Sequence, residues 1–348
     1  MPPLTIHVPS VAAPGAATEA SRPSDLSFST TVERGLVHRA AVCEVFLTDS
    51  ARLDQGRFAL AAQLPRTHAY FSDHLSAVQT YDPLLLLEVC RQASILVAHR
   101  YLGVGADQKF VFGTGEFAVT DRPALRIGAR PAQVVLVVDV IAEKRRGDEL
   151  VGVTYEMEVW NGDFKVFTET MAIQWMPGSA WSRIRRRGRD ALGVEGLDHP
   201  LIASGLDPAL VGRAHAQNVV LGDAVHVPGG IEASVRIDRD HPALFDHELD
   251  HVPGMLIFEA LRQTAIVAAH EGLGYSPARL VLDRAQVRFT RFGEFEIATR
   301  ARAQVIEPRA GGGAEVRLAI TQDGVPIAEA EASIGVACLQ AAPSEVAA

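Results

Sequence analysis

The 348-residue chain carries 33 Lys and Arg against 42 Asp and Glu, a net charge of −9, which argues against nucleic acid as its main partner. Apolar residues make up 48% and charged residues 22%, as in ordinary globular proteins; the best candidates for a run of about 18 uncharged apolar residues are broken by Glu88 and Glu259, so no membrane span is expected. Cys43, Cys90 and Cys338 are scattered and odd in number, which fits neither a disulfide framework nor a metal site and points to a reducing cytoplasm.

In chain order, residues 1–27 are rich in Pro, Ala and Ser and read as a disordered tail. A first unit, 28–178, opens with a short strand, Arg57–Pro65. It continues into "YDPLLLLEVCRQASILVAHR", a helix with Asp82 as cap, Pro83 at its first position and Gly103 as its stop. Three strands follow, "PAQVVLVVDVIAEK", "ELVGVTYEMEVWN" and "FKVFTETMAIQWM", the last two joined by a hairpin turn at Asn161–Asp163. A basic linker, 179–204, contains "SAWSRIRRRGRDALG", which lacks a strand pattern. It reads either as a solvated connection or as a docking patch for a phosphate-bearing substrate or an acidic carrier protein, the latter through Arg183, Arg185, Arg186 and Arg187. A second unit, 205–340, repeats the order: a strand Gly230–Asp238, a helix begun by Pro253 with His251 or Asp250 as cap and Gly272 or Gly274 as stop, then "FEIATRARAQVIE", "AEVRLAITQDG" and "PIAEAEASIGVAC" with a turn at Gln322–Gly324. Residues 341–348 form a second tail.

The repeat is explicit in side chains. Glu88, Arg91, Gln92 and His99 return as Glu259, Arg262, Gln263 and His270 at one constant offset, and "PRTHAYFSDH" returns as "DRDHPALFDH". "VHRAAVCEVFL" (Val37–Leu47) faintly matches "AHAQNVVLGDA" (Ala214–Ala224). Both helices are apolar on every face, which predicts burial all round. The fold class is therefore α+β: two tandem units, each a long central helix wrapped by an antiparallel sheet, packed as an internal pseudo-dimer, with a further homodimer left open.

An ionised carboxylate in apolar surroundings costs several kcal/mol unless paired. One reading of Glu88–Arg91 and Glu259–Arg262 is thus a structural ion pair, twice, with Gln92 and Gln263 satisfying backbone groups. The other is a pocket in which the acid is a base and the arginine holds an anion. The histidines before each helix, His68 and His74 in one unit and His241, His247 and His251 in the other, favour the second reading. No zinc spacing is present, so no metal is expected.

"HPALFDHELDHVPGMLIFEALRQTA" resembles the hot-dog fold of β-hydroxyacyl-carrier-protein dehydratases. A closer resemblance, carried by "VHRAAVCEVFLTD", "QLPRTHAYF", "YDPLLLLEVCRQASILVAHRYLGV" and "DHELDHVPGMLIFEALRQTA", is to the A-factor synthase family of γ-butyrolactone autoregulator biosynthesis. That resemblance implies two fused hot-dog units and an acyltransferase that joins a β-ketoacyl chain from acyl carrier protein to dihydroxyacetone phosphate, with no cofactor. The residues fit such a reaction. Glu259, His247 and Glu88 are the candidate catalytic groups; the amides of Gly254 and Met255 offer an oxyanion site. Arg262 and Arg91 offer a phosphate grip, with Gln263, His68 and His74 beside them. Glu259 and Arg262 rank first because their unit keeps the Pro-Gly helix start, and the analogy pairs Glu259 with His68 or His74 and Glu88 with His247. No nucleophile is evident, since Cys90 points away from Glu88 on the helix, so direct transfer is expected. A hot-dog dehydratase or thioesterase, or a non-catalytic acyl or butyrolactone binder, stays open as an alternative.

Overall fold

The computed structural model describes residues 25–200 and 202–337; both tails expected from the sequence fall mostly or wholly outside them. The first unit contains β1 (Leu47–Asp54), β2 (Arg57–Leu64), α1 (Pro83–Tyr101), β3 (Gln108–Val119), β4 (Ala132–Arg146), β5 (Glu149–Asn161) and β6 (Phe164–Pro177). A connecting helix, α2 (Gly178–Leu192), leads to the second: β7 (Leu221–Val227), β8 (Gly230–Val235), α3 (Gly254–Leu273), β9 (Leu280–Phe289), β10 (Thr299–Pro308), β11 (Gly313–Gln322) and β12 (Val325–Val336).

All twelve strands form one antiparallel sheet in the order β1-β2-β4-β5-β6-β3-β9-β12-β11-β10-β8-β7. The order reads the same from either end once each strand is matched to its counterpart in the other unit. The pseudo-twofold passes between β3 and β9, whose register centres on Glu116↔Gln286. The α+β expectation and the internal pseudo-dimer are therefore met. The two strands that weld the units together, β3 and β9, and the first strand of each unit, β1 and β7, were not among those read from the sequence. In β3 the glycines Gly113 and Gly115 break the alternation and a register shift falls between Phe112 and Thr114, so a period-2 pattern is hard to see.

Both central helices are buried along almost their whole length, as their all-round apolar character requires. Asp82 caps α1 by accepting from Leu84 N at 2.8 Å, with Pro83 at the first position. The second start differs from expectation. Pro253 itself is the cap residue of α3 and no side chain closes it, because Asp250 is taken up by α2 and His251 by Asp250. Gly274 ends α3 at φ 72, a left-handed position that Gly occupies without a Cβ penalty.

The basic segment folds as α2, with a turn-like αL end at Gly193. Its apolar-side residues dock on the second unit. Trp181 Nε1 donates to Asp250 at 2.9 Å, and buried Arg185 forms a bidentate pair with Glu294 at 2.6 and 2.8 Å. Arg189 adds bonds to Glu294 and Glu296. Arg185 is thus a structural clamp and is removed from any docking patch, while Arg183, Arg186 and Arg187 stay exposed.

Candidate active site

The pseudo-twofold creates two equivalent sites, each made by the central helix of one unit and the loop before the central helix of the other. In both, a buried glutamate is the hub. Glu88 accepts from Arg39 Nε at 3.1 Å, from Arg91 Nε at 2.7 Å and from Gln92 Nε2 at 2.7 Å. Glu259 accepts from Arg213 Nε at 3.1 Å, from Gln263 Nε2 and from Arg262. Each glutamine also clamps the backbone entering its unit's first strand: Gln92 bonds Phe46 N and Glu44 O, and Gln263 bonds Val220 N and Asn218 O. Burial alone would raise both glutamates, but Arg39 with Arg91, and Arg213 with Arg262, hold each down to about 2. Both therefore stay ionised and are weak bases.

The units are interlocked by the same device twice. Asp246 accepts from Ala40 N and Ala41 N at 2.7 and 2.9 Å; Asp73 accepts from Ala214 N and His215 N at 2.9 and 3.3 Å. His68 and His241 are a matched structural pair. Each Nδ1 accepts two backbone N–H groups of its own turn, which leaves Nε2–H to donate to Glu44 or to Asn218. His74 donates to Thr80 O at 3.3 Å. Neither His68 nor His74 meets Glu259; the first-unit residue that does is Tyr70, whose hydroxyl donates to Glu259 Oε2 at 2.8 Å.

The two sites differ in what fills them. Around Glu259, Tyr70 lies under the Arg213 guanidinium at 4.7 Å, and Arg262 Nη1 donates to Asp82 at 2.6 Å. Only about 60 Å³ of space remains beside Arg262 and His74. Around Glu88, the position of Tyr70 is held by Ala243 and that of Asp82 by Pro253. A cavity of about 800 Å³ opens there. Its apolar wall includes Leu87, Ile95, Phe110, Met171, Phe258 and Phe289, and its polar part includes Arg34, Arg91, Lys109, His38 and His247, with Gly254 and Met255 at the uncapped start of α3. Thus Arg91, His247, Gly254 and Met255 are brought together on one cavity, whereas Glu259, Arg262, Gln263, His68 and His74 are not on it. The larger space lies at the Glu88 end, whereas the sequence ranks the Glu259 end first. Another hollow, of about 710 Å³, lies on the exposed strand face, where its charges pair across the strands, as Arg317 does with Glu331 at 3.7 Å.

Several cavity groups escaped the sequence reading. His38 ends a 3-10 turn, Arg34–Val37, at φ 51, and its twin Gly212 ends the turn Pro208–Val211 at φ 72. A Cβ at Gly212 would approach Pro277 O to 3.2 Å, so a side chain at that twin position would need its neighbours to give way. A non-glycine residue held in this region costs on the order of 1–3 kcal/mol. Burial, and then His99 and Arg91, push the His38 imidazole down to about 4. Glu169 on β6 is buried on the cavity wall, and neither carboxyl oxygen has a hydrogen bond of normal geometry. Burial raises it to about 8, against a small opposing effect of the neighbouring Cys90 thiol, so it is mostly protonated at neutral pH. His247, beside Asp246, is lowered by burial and by Arg39 and Arg91.

Comparisons with known proteins fit this architecture. The profile of the A-factor biosynthesis hotdog domain matches residues 20–177 and again 198–337. The chain belongs to this family. A relative from Streptomyces virginiae, named 2-oxo-3-(phosphooxy)propyl 3-oxoalkanoate synthase, is 36% identical over 300 residues, 86% of this chain and 96% of the relative. A relative of the same name from Streptomyces griseus is 32% identical and covers 75% of this chain and 81% of its own. Among solved structures, the pyran synthase domain from module nine of the sorangicin pathway has a TM-score of 0.50 at 14% identity, over 84% of this chain and 98% of that domain. That likeness concerns the fold, two hotdog units in one chain, and the family's two matched segments coincide with the two halves of the twelve-stranded sheet. Among the described residues no helix is long and apolar enough to cross a membrane.

Proposed function

We propose that the chain joins a 3-oxoacyl chain, delivered as a thioester on acyl carrier protein, to the primary hydroxyl of dihydroxyacetone phosphate. The product is the ester that the names of the Streptomyces relatives describe, and its closure to a butenolide would lead towards a γ-butyrolactone signal. The observation that carries this reading is the first-unit cavity, which combines an apolar wall with four cationic side chains, Arg34, Arg39, Arg91 and Lys109, in one space of about 800 Å³. An acyl chain needs the former and a phosphate the latter.

Within that reading the roles separate by chemistry. Glu88 is an anchor that fixes the Arg39 and Arg91 guanidinium planes, since a carboxylate held near 2 takes protons poorly. Arg91 presents its guanidinium to the phosphate. The free amides at Gly254 and Met255, at the positive end of α3, are aimed at the thioester oxyanion. His247, at the rim, is placed to meet the incoming hydroxyl or the thioester. The exposed Arg183, Arg186 and Arg187 stand on α2, whose Trp181 also lines the cavity, so a carrier protein docked on α2 would deliver its acyl chain directly. The free thiols Cys43 and Cys90 and these substrates suit the cytoplasm.

Mass spectrometry of the purified protein with a 3-oxoacyl thioester and dihydroxyacetone phosphate tests the reading. The phosphorylated ester should accumulate only when both are present. Release of free 3-oxo acid at the same rate without dihydroxyacetone phosphate would mark a thioesterase instead, and loss of water from a 3-hydroxyacyl thioester a dehydratase.

A further inference from the structure

We propose that His38 is the general base of acyl transfer and that His99 is the residue that positions it, an inference that rests on the first-unit cavity being the site of reaction. Hydrogen-bond logic fixes the protons. His99 Nδ1 lies 2.8 Å from Val104 O, and a carbonyl only accepts, so Nδ1 carries the His99 proton. The neutral His99 ring then has a lone pair at Nε2. His38 Nε2 is 2.9 Å away and must donate to it. That leaves His38 Nδ1 unprotonated, with no hydrogen-bond partner among the described residues, on a ring that lines the cavity and rests edge-on against Phe110.

The backbone argues the same way. His38 is one of only two described non-glycine residues with positive φ, and the other, Asp323, sits in a hairpin turn. The twin position uses Gly212 for the same turn. The twin of His99 is retained: His270 Nδ1 donates to Tyr275 O at 2.8 Å, but it has no imidazole to receive. One unit therefore places a side chain where the other uses the residue best suited to the turn, and it does so only in the unit whose cavity is open.

The step balances without a cofactor. His38 Nδ1 takes the proton of the attacking hydroxyl as its oxygen bonds to the thioester carbon, and the carbonyl electron pair moves to the oxyanion. When the oxyanion collapses the C–S bond breaks, and the proton on Nδ1 passes to the leaving thiolate. The groups facing His38 are His99, Arg91, His247 and Lys109. Burial first, and then these groups, disfavour an imidazolium, and the negative charge of a phosphate held by Arg91 and Lys109 would oppose the charged groups, which ties proton uptake at Nδ1 to binding of the acceptor.

The test follows thiol release from a 3-oxoacyl N-acetylcysteamine thioester by the full chain, with and without dihydroxyacetone phosphate, alongside thermal melts. His38→Gly should melt at or above the parent temperature, because glycine suits the left-handed turn, yet release thiol on the order of 10²-fold more slowly or worse. Added imidazole should restore much of the rate. His99→Phe should lower kcat about tenfold with little change in KM, and imidazole should not rescue it. A His38→Gly protein that releases thiol within about threefold of the parent overturns the proposal, as does a loss that tracks a lower melting temperature and ignores imidazole. If the parent releases thiol without regard to dihydroxyacetone phosphate and His38→Gly abolishes it, the acceptor reading fails while His38 stands as the base. If the parent releases none under either condition, both fail.

Discussion

The Glu88 and Glu259 ends of the unit interface share a framework of glutamate, two arginines and a glutamine, yet one is a cavity and the other is filled. Tyr70 and Asp82 fill the closed side where Ala243 and Pro253 stand on the open side, and His38 and Glu169 bring polar groups to the open side where the matching residues are Gly212 and Ala330. The first two closing residues satisfy the network: Tyr70 donates to Glu259, and Asp82 gives Arg262 a second anion. On the open side Pro253 offers Arg91 no acid, so its guanidinium keeps capacity for a ligand. The same buried Glu–Arg core thus stands at both ends, and in the function proposed above the open end holds the substrate while the closed end stabilises the fold.

The largest expected effect breaks the closed copy. Glu259→Ala would leave buried Arg213 without its counter-charge and Arg262 with Asp82 alone, which should cost about 3–5 kcal/mol of stability in chemical denaturation. Turnover per folded molecule should stay near the parent value. Arg91→Lys on the open side should show the converse, with a small change in the denaturation midpoint and a KM for dihydroxyacetone phosphate raised about tenfold, since an ammonium lacks the bidentate fork. Equal loss of turnover per folded molecule in both variants would end the division between a structural and a working copy.

Much of the shared framework lay in plain view in the sequence, and the rest was hidden for definable reasons. The helix repeat placed Glu88 and Glu259, their arginines and glutamines, and the buried helices, because identical residues at fixed spacing survive any uncertainty about strands. The matching of "VHRAAVCEVFL" to "AHAQNVVLGDA" was three residues out of register. Aligned as the structure has them, "LVHRAAVCEVFL" stands over "LVGRAHAQNVVL", and Arg39 with Arg213 and His38 with Gly212 fall into line. That slip concealed the second arginine of each network and the one histidine whose twin is a glycine. The choice between the two ends was not legible, since it depends on how Tyr70 and Asp82 fill space across the interface. Glu169 was hidden for a different reason: on a strand, an acid between Thr168 and Thr170 reads as solvent-facing, and only the sheet's packing on α1 turns it inward.

A middle-sized effect sharpens the comparison at Glu169. Its carboxyl is near 4.5 when unfolded and about 8 when folded, so the folded state keeps a proton that the unfolded state gives up. The stabilising contribution of that proton is full below about 4.5 and is lost as pH rises through about 8. Glu169→Gln, a neutral isostere, should remove this slope, so that its stability relative to the parent grows between pH 5 and pH 9 by on the order of a few kcal/mol. The glutamate hubs run the other way, since Glu88 and Glu259 contribute above about 4.5 and lose their contribution as pH falls towards about 2. Denaturation midpoints across that range check the point, and parallel curves for parent and variant would show that Glu169 is ionised in the folded protein.

The smallest expected effect concerns α2, which belongs to neither copy. Its inner face is committed to the second unit through Arg185 and Arg189, while Arg183, Arg186 and Arg187 point to solvent. If the open copy receives its acyl chain from an acidic carrier, those three charges act at the encounter. Changing all three to Ser should leave the denaturation midpoint within about 0.5 kcal/mol of the parent, because exposed arginines away from partners contribute little. The apparent KM for carrier-bound substrate should rise several-fold at low salt, and the difference should shrink as ionic strength passes about 0.15 M, where the screening length falls to about 8 Å. Small thioesters, which need no docking, should be turned over at the parent rate. A triple variant that slows both substrates alike would place α2 with the structural half of the comparison, alongside Arg185, and leave the carrier to dock elsewhere on the rim.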